Sequence, residues 1–135
     1  ATDYATHVRP HVRRIFAELR DLGLPLVHFG TNTAHLLDLV KDEGGTVIGL
    51  DWRVPLDVAW ARVGHHLGVQ GNLDPAVLHA PLSVVEAAVR DVLDRAAGRP
   101  GHVFNLGHGL HPETPLAAIE RVVETVQSYR APTPA

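Results

Sequence analysis

The chain has 135 residues, a net charge of −3 with neutral histidines, 45% apolar residues and no cysteine. The length and apolar content suit one domain with a hydrophobic core. The charge gives no reason to expect nucleic acid or a membrane surface as a partner, and no apolar run approaches the roughly 18 residues of a membrane span. Without cysteine there is no disulfide, thiolate nucleophile or cysteine-held metal, and we expect a cytoplasmic protein.

The first part of the chain predicts two helices and two strands. Apolar residues at helical spacing from Val8 to Leu22 predict an amphipathic helix that ends at Gly23. The apolar run 25–29 predicts a strand buried on both faces, and residues 46–50 predict a second strand. Between these strands, the pattern of residues 31–41 predicts a second helix.

The second part repeats this alternation. Residues 55–64 predict a helix, 67–70 a strand and 71–75 a loop. The sequence S-V-V-E at 83–86 has the form of a capping box and predicts the start of a helix through Ala96. A fourth strand is predicted at residues 102–106, and a last helix is predicted after Thr114, with the following residues facing inward: Leu116, Ile119, Val122, Val123, Val126 and Tyr129.

This order predicts parallel strands with right-handed helical crossovers. Two α/β architectures fit the pattern. One is an open doubly wound sheet that is complete by itself, and the other is half of a (β/α)8 barrel, which usually needs roughly 250 residues. In both, ligands bind where loops leave the carboxyl ends of the strands.

Three predicted loops carry unusual polar residues at that end. In N-L-G-H-G, His108 lies between Gly107 and Gly109, and it either contacts a ligand carboxylate or only bonds its own loop. Asn72 and Asp74 in G-N-L-D-P are typical of a turn that bonds its own backbone. The third loop, 51–53, pairs an aspartate with an arginine, which is most often a simple ion pair.

Metal and nucleotide sites have little support in the sequence. His7 and His11 are four residues apart on the first predicted helix, as two zinc ligands can be, but no third ligand completes a known spacing. The glycine-rich phosphate-binding motifs are absent. We therefore expect neither a metal ion nor an organic cofactor.

Several motifs together resemble uroporphyrinogen decarboxylases. The segments G-L-D-W-R (49–53), V-Q-G-N-L-D-P (69–75) and N-L-G-H-G-L-H-P-E-T-P (105–115) occur in this order with similar spacing in that family. The segment P-H-V-R-R-I-F-A-E-L (10–19) resembles the family's helix before its fifth strand. The resemblance covers nearly the whole chain.

This resemblance implies the C-terminal half of a (β/α)8 TIM barrel, about four parallel strands with outer helices. Residues 1–135 would be a single partial domain without the N-terminal half. The family decarboxylates the four acetate side chains of uroporphyrinogen III to coproporphyrinogen III, without a cofactor, as a homodimer. The matching position gives His108 a substrate-binding role, with lesser roles for Gly107 and Asn72. No catalytic residue is assigned to this half.

Two other classes of function stay open at this point. A cobamide-dependent methyltransferase of the same superfamily would need zinc held by cysteine, which this chain lacks. A non-catalytic half barrel could serve as a binding module, but cutting a barrel exposes strand edges that pair with other chains. We therefore expect the chain to be paired with a second copy or with further polypeptide. We also expect it to be inactive alone, because the resemblance implies that the absent half carries the arginines that hold substrate carboxylates and the aspartate that binds the pyrrole N–H groups.

Overall fold

The computed structural model describes residues 1–131 of the chain. Four parallel strands form one sheet in the order β1-β2-β3-β4, which is also their order in the chain. The strands are β1 (Val27–Phe29), β2 (Val47–Gly49), β3 (Gly68–Leu73) and β4 (His102–Leu106). The helices are α1 (Arg9–Leu19), α2 (Leu37–Val40), α3 (Leu56–Val63), α4 (Leu82–Ala96) and α5 (Leu116–Ser128).

Shorter helical turns complete the described chain. A π-helical turn, Tyr4–Val8, precedes α1, and 3₁₀ turns lie at Arg20–Leu22, Ala34–Leu36 and Pro75–His79. Gly23 ends the first helical segment with a left-handed φ of 66°, as predicted. None of the helices within residues 1–131 combines the length and apolar character needed to cross a bilayer.

The hydrophobic core lies between the outer face of the sheet and the helices. Ile48 and Val69 point outward from β2 and β3 and are 1% and 0% exposed. They pack in one cluster with apolar residues of α3 and α4, among them Trp60 and Val89. Each large apolar side chain buried in this way contributes about 1.5–3 kcal/mol to stability. The indole N–H of Trp60 donates to the carbonyl of Leu67 at 2.9 Å and so satisfies its polar group.

The opposite face of the sheet is open. Val27 and Phe29 of β1 are 44% and 46% exposed, and Val103 of β4 is 51% exposed. The prediction that the first strand is buried on both faces is therefore wrong. Helices cover only one face of the sheet within the described residues. This face corresponds to the interior of a barrel.

Three helix predictions are also wrong in detail. Residues 31–41 form a 3₁₀ turn and a single α-helical turn instead of one regular helix. The predicted capping box does not form, because α4 begins at Leu82 and its N-cap is Pro81, which places Ser83 inside the first turn. On α5, Leu116 and Val123 are 67% and 48% exposed although both were predicted to face inward.

The first helix buries less than its pattern predicted. Of its apolar residues only Phe16 is buried, whereas Ile15 and Leu19 remain exposed. Periodicity predicts which face of a helix is apolar, but it does not show whether another element covers that face. The fold class is confirmed: four parallel strands with outer helices, arranged as in half of a (β/α)8 barrel.

Candidate functional site

The loops after β2, β3 and β4 meet at one rim of the sheet, as predicted. The side-chain amide of Asn72 donates to the carbonyl oxygens of Asp51 at 2.9 Å and Val54 at 2.7 Å. The backbone N–H of Gly107 donates to the carbonyl of Leu73 at 2.7 Å. The end of β3 is thus tied to the loops after β2 and β4 by hydrogen bonds between buried or partly buried residues.

Asn72 and Asp74 differ in role. Asp74 accepts a hydrogen bond from the N–H of Ala76 at 2.9 Å, so its predicted turn is confirmed. Asn72 does not bond its own turn, so that part of the prediction is wrong. It lies within β3, is 6% exposed and bonds the loop after the neighbouring strand. Because β3 continues to Leu73, the residues predicted as a loop are mostly strand.

Asp51 and Arg53 brace the loop after β2. The Asp51 carboxylate accepts hydrogen bonds from the backbone N–H of Asn32, from the N–H of Arg53 at 2.8 Å and from the Arg53 guanidinium at 3.1 Å. The guanidinium also lies 3.9 Å from the centre of the Trp52 ring, in a cation–π contact. The Asp51 side chain is only 3% exposed, and its hydrogen bonds come from its own loop and from the loop after β1.

Gly107 is a position where only glycine fits. It is buried, and a Cβ atom there would collide with the backbone nitrogen of Trp52 and lie 3.0 Å from the carbonyl carbon of Asp51. Gly109 is different, because a Cβ atom there would meet nothing within 4 Å. The loop after β4 can therefore pack directly on the loop after β2 only without a side chain at position 107.

His108 projects from this packed loop and is exposed. Its ring stands edge-to-face against Trp52, with 6.0 Å between ring centroids. The backbone N–H of Gly109 donates to Nδ1 of His108 at 2.7 Å. Because Nδ1 acts as acceptor, the proton of the neutral ring is on Nε2, which is left as a donor. This bond agrees with one of the two interpretations of the sequence, in which His108 bonds its own loop.

An open pocket of about 370 Å³ lies beside His108 at the rim of the exposed sheet face. The side chains of Phe29, on β1, and Gln70, on β3, form part of its wall. No Asp, Glu, Lys or Arg is among the described residues that line it. The side chains that line it are Phe29, Gln70, Asn105, Leu106, His108 and Leu110.

A second group of ionisable residues was not predicted. The Glu43 side chain is fully buried and accepts a hydrogen bond from the hydroxyl of Tyr4 at 2.9 Å. His28 and Arg9 lie 3.2 and 3.6 Å from its oxygens. Burial, with the bond to Glu43, raises the pKa of Tyr4 to about 12. Glu43 lies in the charged segment 41–43, after the apolar residues of the second predicted helix, so no sequence signal indicated its burial.

Burial lowers the pKa of His28, and the nearby Glu43 carboxylate opposes that shift without reversing it. Burial likewise lowers the pKa of His102, against the opposing effect of its bond to the carbonyl of Gly71 at 2.8 Å. Both rings are therefore held in the neutral form by the fold. Neither points into the pocket beside His108.

The histidine pair of the first helical segment has no third ligand beside it within residues 1–131. His7 and His11 are both exposed. Within residues 1–131 no three histidine, aspartate or glutamate side chains are grouped so that they could hold a metal ion.

Comparison with known sequences identifies the family. The profile of the uroporphyrinogen decarboxylase (URO-D) family matches residues 1–129. A uroporphyrinogen decarboxylase from Sorangium cellulosum is 56% identical over 126 residues, which are 93% of this chain and 36% of the relative. One from Thermobifida fusca is 52% identical over 131 residues, covering 97% of this chain and 36% of the relative.

A solved structure supports the same architecture. A methyltransferase from Methanosarcina mazei superposes with a TM-score of 0.79 over 93% of this chain and 36% of its own length, at 16% sequence identity. At that identity the likeness concerns the fold alone. The chain spans about 36% of the length of the curated relatives described above. The match over residues 1–129 nevertheless shows that the chain belongs to the uroporphyrinogen decarboxylase family.

Proposed function

We propose that this chain is the C-terminal half of a uroporphyrinogen decarboxylase barrel. In this proposal residues 1–135 are one partial domain, and a longer polypeptide supplies the strands that close the barrel. The complete enzyme, a cytoplasmic homodimer, converts uroporphyrinogen III to coproporphyrinogen III. The observation that carries the proposal is the placement of His108. In a chain of this family, the His108 ring projects beside an open pocket from the rim where the loops after β2 and β4 pack together.

Loss of carbon dioxide requires a group that accepts the electron pair of the bond between the acetate methylene and the carboxylate. Protonation of the pyrrole α-carbon next to the carbon that bears the acetate makes the ring that acceptor. The bond between the acetate methylene and the carboxylate then breaks, carbon dioxide leaves, and its electron pair neutralises the ring. Protonation of the resulting methylene and loss of the ring proton give a methyl group, with one proton consumed overall. Because the substrate ring takes up the electrons, the proposal includes no cofactor.

His108 supplies a hydrogen-bond donor in this scheme. With Nδ1 bonded to the N–H of Gly109, the Nε2–H group of the neutral ring is the part that meets substrate. A hydrogen bond from it to a carboxylate is worth about 1.5–3 kcal/mol. Gly107 and Asn72 act indirectly, because they hold the loop and the rim in position.

The chain does not supply every group that the substrate needs. Uroporphyrinogen carries eight carboxylates, yet no lysine or arginine lines the pocket within the described residues. Clamps for these charges, and the proton donor for the ring, are assigned to the remainder of the enzyme. For this reason we expect the isolated chain to be inactive.

A segment exchange tests the proposal. The whole chain replaces the matching segment of the Sorangium cellulosum relative, and the chimera is assayed for coproporphyrinogen formation beside the unmodified relative. We expect turnover within the ordinary range of enzymes, about 1–10³ s⁻¹. A folded chimera that does not decarboxylate uroporphyrinogen would contradict the proposal and favour a non-catalytic binding role.

A further inference from the structure

The pocket beside His108 has an unusual combination of features for a site that receives an anion. Its walls include the apolar side chains of Phe29, Leu106 and Leu110, and no Asp, Glu, Lys or Arg lines it among the described residues. Its polar side chains are those of Gln70, Asn105 and His108. A polyanionic substrate would ordinarily be held by arginine or lysine.

The position of Gln70 follows from the sheet register. Phe29 pairs with Gly49, Gly49 pairs with Gln70, and Gln70 pairs with Val103, so these residues form one layer across the open face. Gly49 has no side chain, and a Cβ atom there would lie 2.8 Å from Cβ and Cδ2 of Phe29. The Phe29 side chain therefore occupies the space over Gly49. Gln70 is the polar member of an otherwise apolar layer.

The hydrogen-bonding capacity of these groups is largely unused within residues 1–131. The Gln70 side chain is half-buried and makes no hydrogen bond to a described residue. Asn105 uses its Oδ1 to accept from the N–H of Leu106 at 2.8 Å, which leaves its NH₂ group as a donor. His108 uses Nδ1 in its own loop and keeps Nε2–H. The bonds to Oδ1 of Asn105 and Nδ1 of His108 thus orient the NH₂ group of Asn105 and the Nε2–H group of His108 as free donors. The side-chain NH₂ group of Gln70 is a third donor.

We propose that this pocket, which no Asp, Glu, Lys or Arg of the described residues lines, holds the acetate that reacts, and that Gln70 is a substrate-positioning residue for it. The proposal rests on the proposed function and goes beyond it by stating which carboxylate this half binds. A reacting carboxylate loses its charge as carbon dioxide forms. A fixed cation beside it would stabilise the ground state more than the transition state and so slow the reaction. Neutral amide and imidazole donors orient the carboxylate with less of this penalty.

Two substitutions of Gln70 in the chimera separate this idea from a structural role. Gln70→Met keeps the length of the side chain and removes its hydrogen bonds, and we expect kcat/KM to fall by about 10- to 100-fold. Gln70→Lys adds a cation, and we expect a lower KM together with a kcat that falls about 10-fold or more. Loss of a merely structural residue would not tighten substrate binding, seen as a lower KM, while it slows turnover, seen as a lower kcat.

Gln127 provides the matched control. It is exposed on α5 and does not line the pocket beside His108, so Gln127→Met and Gln127→Lys should leave both constants unchanged. Unfolding midpoints of all variants show that the fold is retained. If Gln70→Lys does not fold, Asn105→Lys places the cation on an exposed residue of the same pocket and should split KM and kcat in the same way.

The outcomes are distinct. A kcat/KM unchanged in Gln70→Met, or a kcat unchanged or raised by the lysine in an active chimera, overturns the inference about the reacting acetate and leaves the proposed function intact. A parent chimera without turnover overturns the proposed function itself, and the inference with it.

Discussion

At the scale of single residues, the adjacent residues Gly107 and His108 have different roles at the rim. Gly107 is buried against the backbone of Trp52, whereas His108 is exposed and keeps one ring nitrogen available. The glycine brings the loop into contact with its neighbour, and the histidine then projects from a fixed base. Trp52 contributes to both, since its backbone packs on Gly107 and its ring packs on His108.

Replacing His108 by alanine in the chimera should reduce turnover without unfolding the protein. Loss of one hydrogen bond to a charged substrate group corresponds to a fall in kcat/KM of about 10- to 150-fold. Steady-state formation of coproporphyrinogen measures it. His35→Ala, which removes an exposed histidine away from the pocket, is the matched control. Unchanged kinetics for His108→Ala would leave this ring with a role in its own loop only.

The two glycines of the loop should differ sharply when each is replaced by alanine. Gly107→Ala forces a methyl group against the backbone of Trp52, and overpacking of this kind costs about 1–3 kcal/mol. Gly109→Ala meets no atom within 4 Å and should change the free energy of unfolding little. Urea unfolding of the two variants provides the measurement. Equal stability would show that the rim is not packed as described.

At the scale of elements, a buried polar cluster joins the N-terminal helical segment to the sheet. Tyr4 and Arg9 reach Glu43 from that segment, and His28 reaches it from β1. Arg9 also donates to the carbonyl of Leu39 at 3.5 Å. Few apolar residues of α1 are buried, with Phe16 the exception. Polar contacts therefore carry much of the attachment of this segment to the sheet.

Acid should weaken the fold in the range where histidine titrates. In the folded chain, burial holds the pKa values of His28 and His102 below the ordinary value of 6.5, so the unfolded chain binds protons first as the pH falls. Their contribution is complete above pH 6.5 and is lost as the pH falls toward the folded pKa values. Urea midpoints at pH 7.5 and 5.5, at one fixed protein concentration, measure this loss.

His102→Gln provides the test of that cause. The glutamine amide can still donate to the carbonyl of Gly71 but does not titrate, so the midpoint should depend less on pH. The carboxyl groups of Asp57 and Glu86 have pKa values lowered by hydrogen bonds from Arg95 and Arg90, so they titrate below this range. An identical pH dependence in His102→Gln and the parent chain would contradict the assignment for His102.

At the scale of the whole molecule, the sheet has an uncovered face and two edges. Val27, Phe29 and Val103 expose apolar surface on β1 and β4, the strands at the edges. Apolar surface and unpaired strand edges of this kind promote association with another chain. In a complete barrel the same face would be interior.

The isolated chain should therefore associate in solution, and a charge on the open face should reduce that association. Val103→Lys places a cation on a residue that is 51% exposed on this face, and Val58→Lys does the same at a residue that is 49% exposed on α3. Sedimentation velocity should show less association only for Val103→Lys. A parent chain that is monomeric at all concentrations would contradict the expectation.

The isolated chain should also fail to decarboxylate uroporphyrinogen, although the chimera turns it over. The pocket lies on the open face, and within the described residues it has no cation for the substrate's carboxylates. Product formation is measured for both proteins at equal concentration. Coproporphyrinogen formed by the isolated chain at about 1 s⁻¹ or faster would show that this half is sufficient.

The sequence alone determined the order and type of the main elements and the three loops of the rim. Alternating apolar runs and helical stripes are local patterns, so the strands at 46–50 and 102–106 could be predicted to within one or two residues. The motifs that resemble the family likewise read directly from the chain, and they cover the residues that later proved to lie at the rim.

Only the tertiary structure decided which apolar faces are covered and which polar groups are buried. The burial of Glu43 and of the Asn72 amide depends on atoms from segments about 20 to 40 residues away, and no local pattern records those contacts. The exposure of Phe29 has the same origin, because a β-strand sequence does not specify how many layers pack on it. Gln70 could be assigned to the pocket only from the register of β2, β3 and β4, since that register sets which side chains share a face.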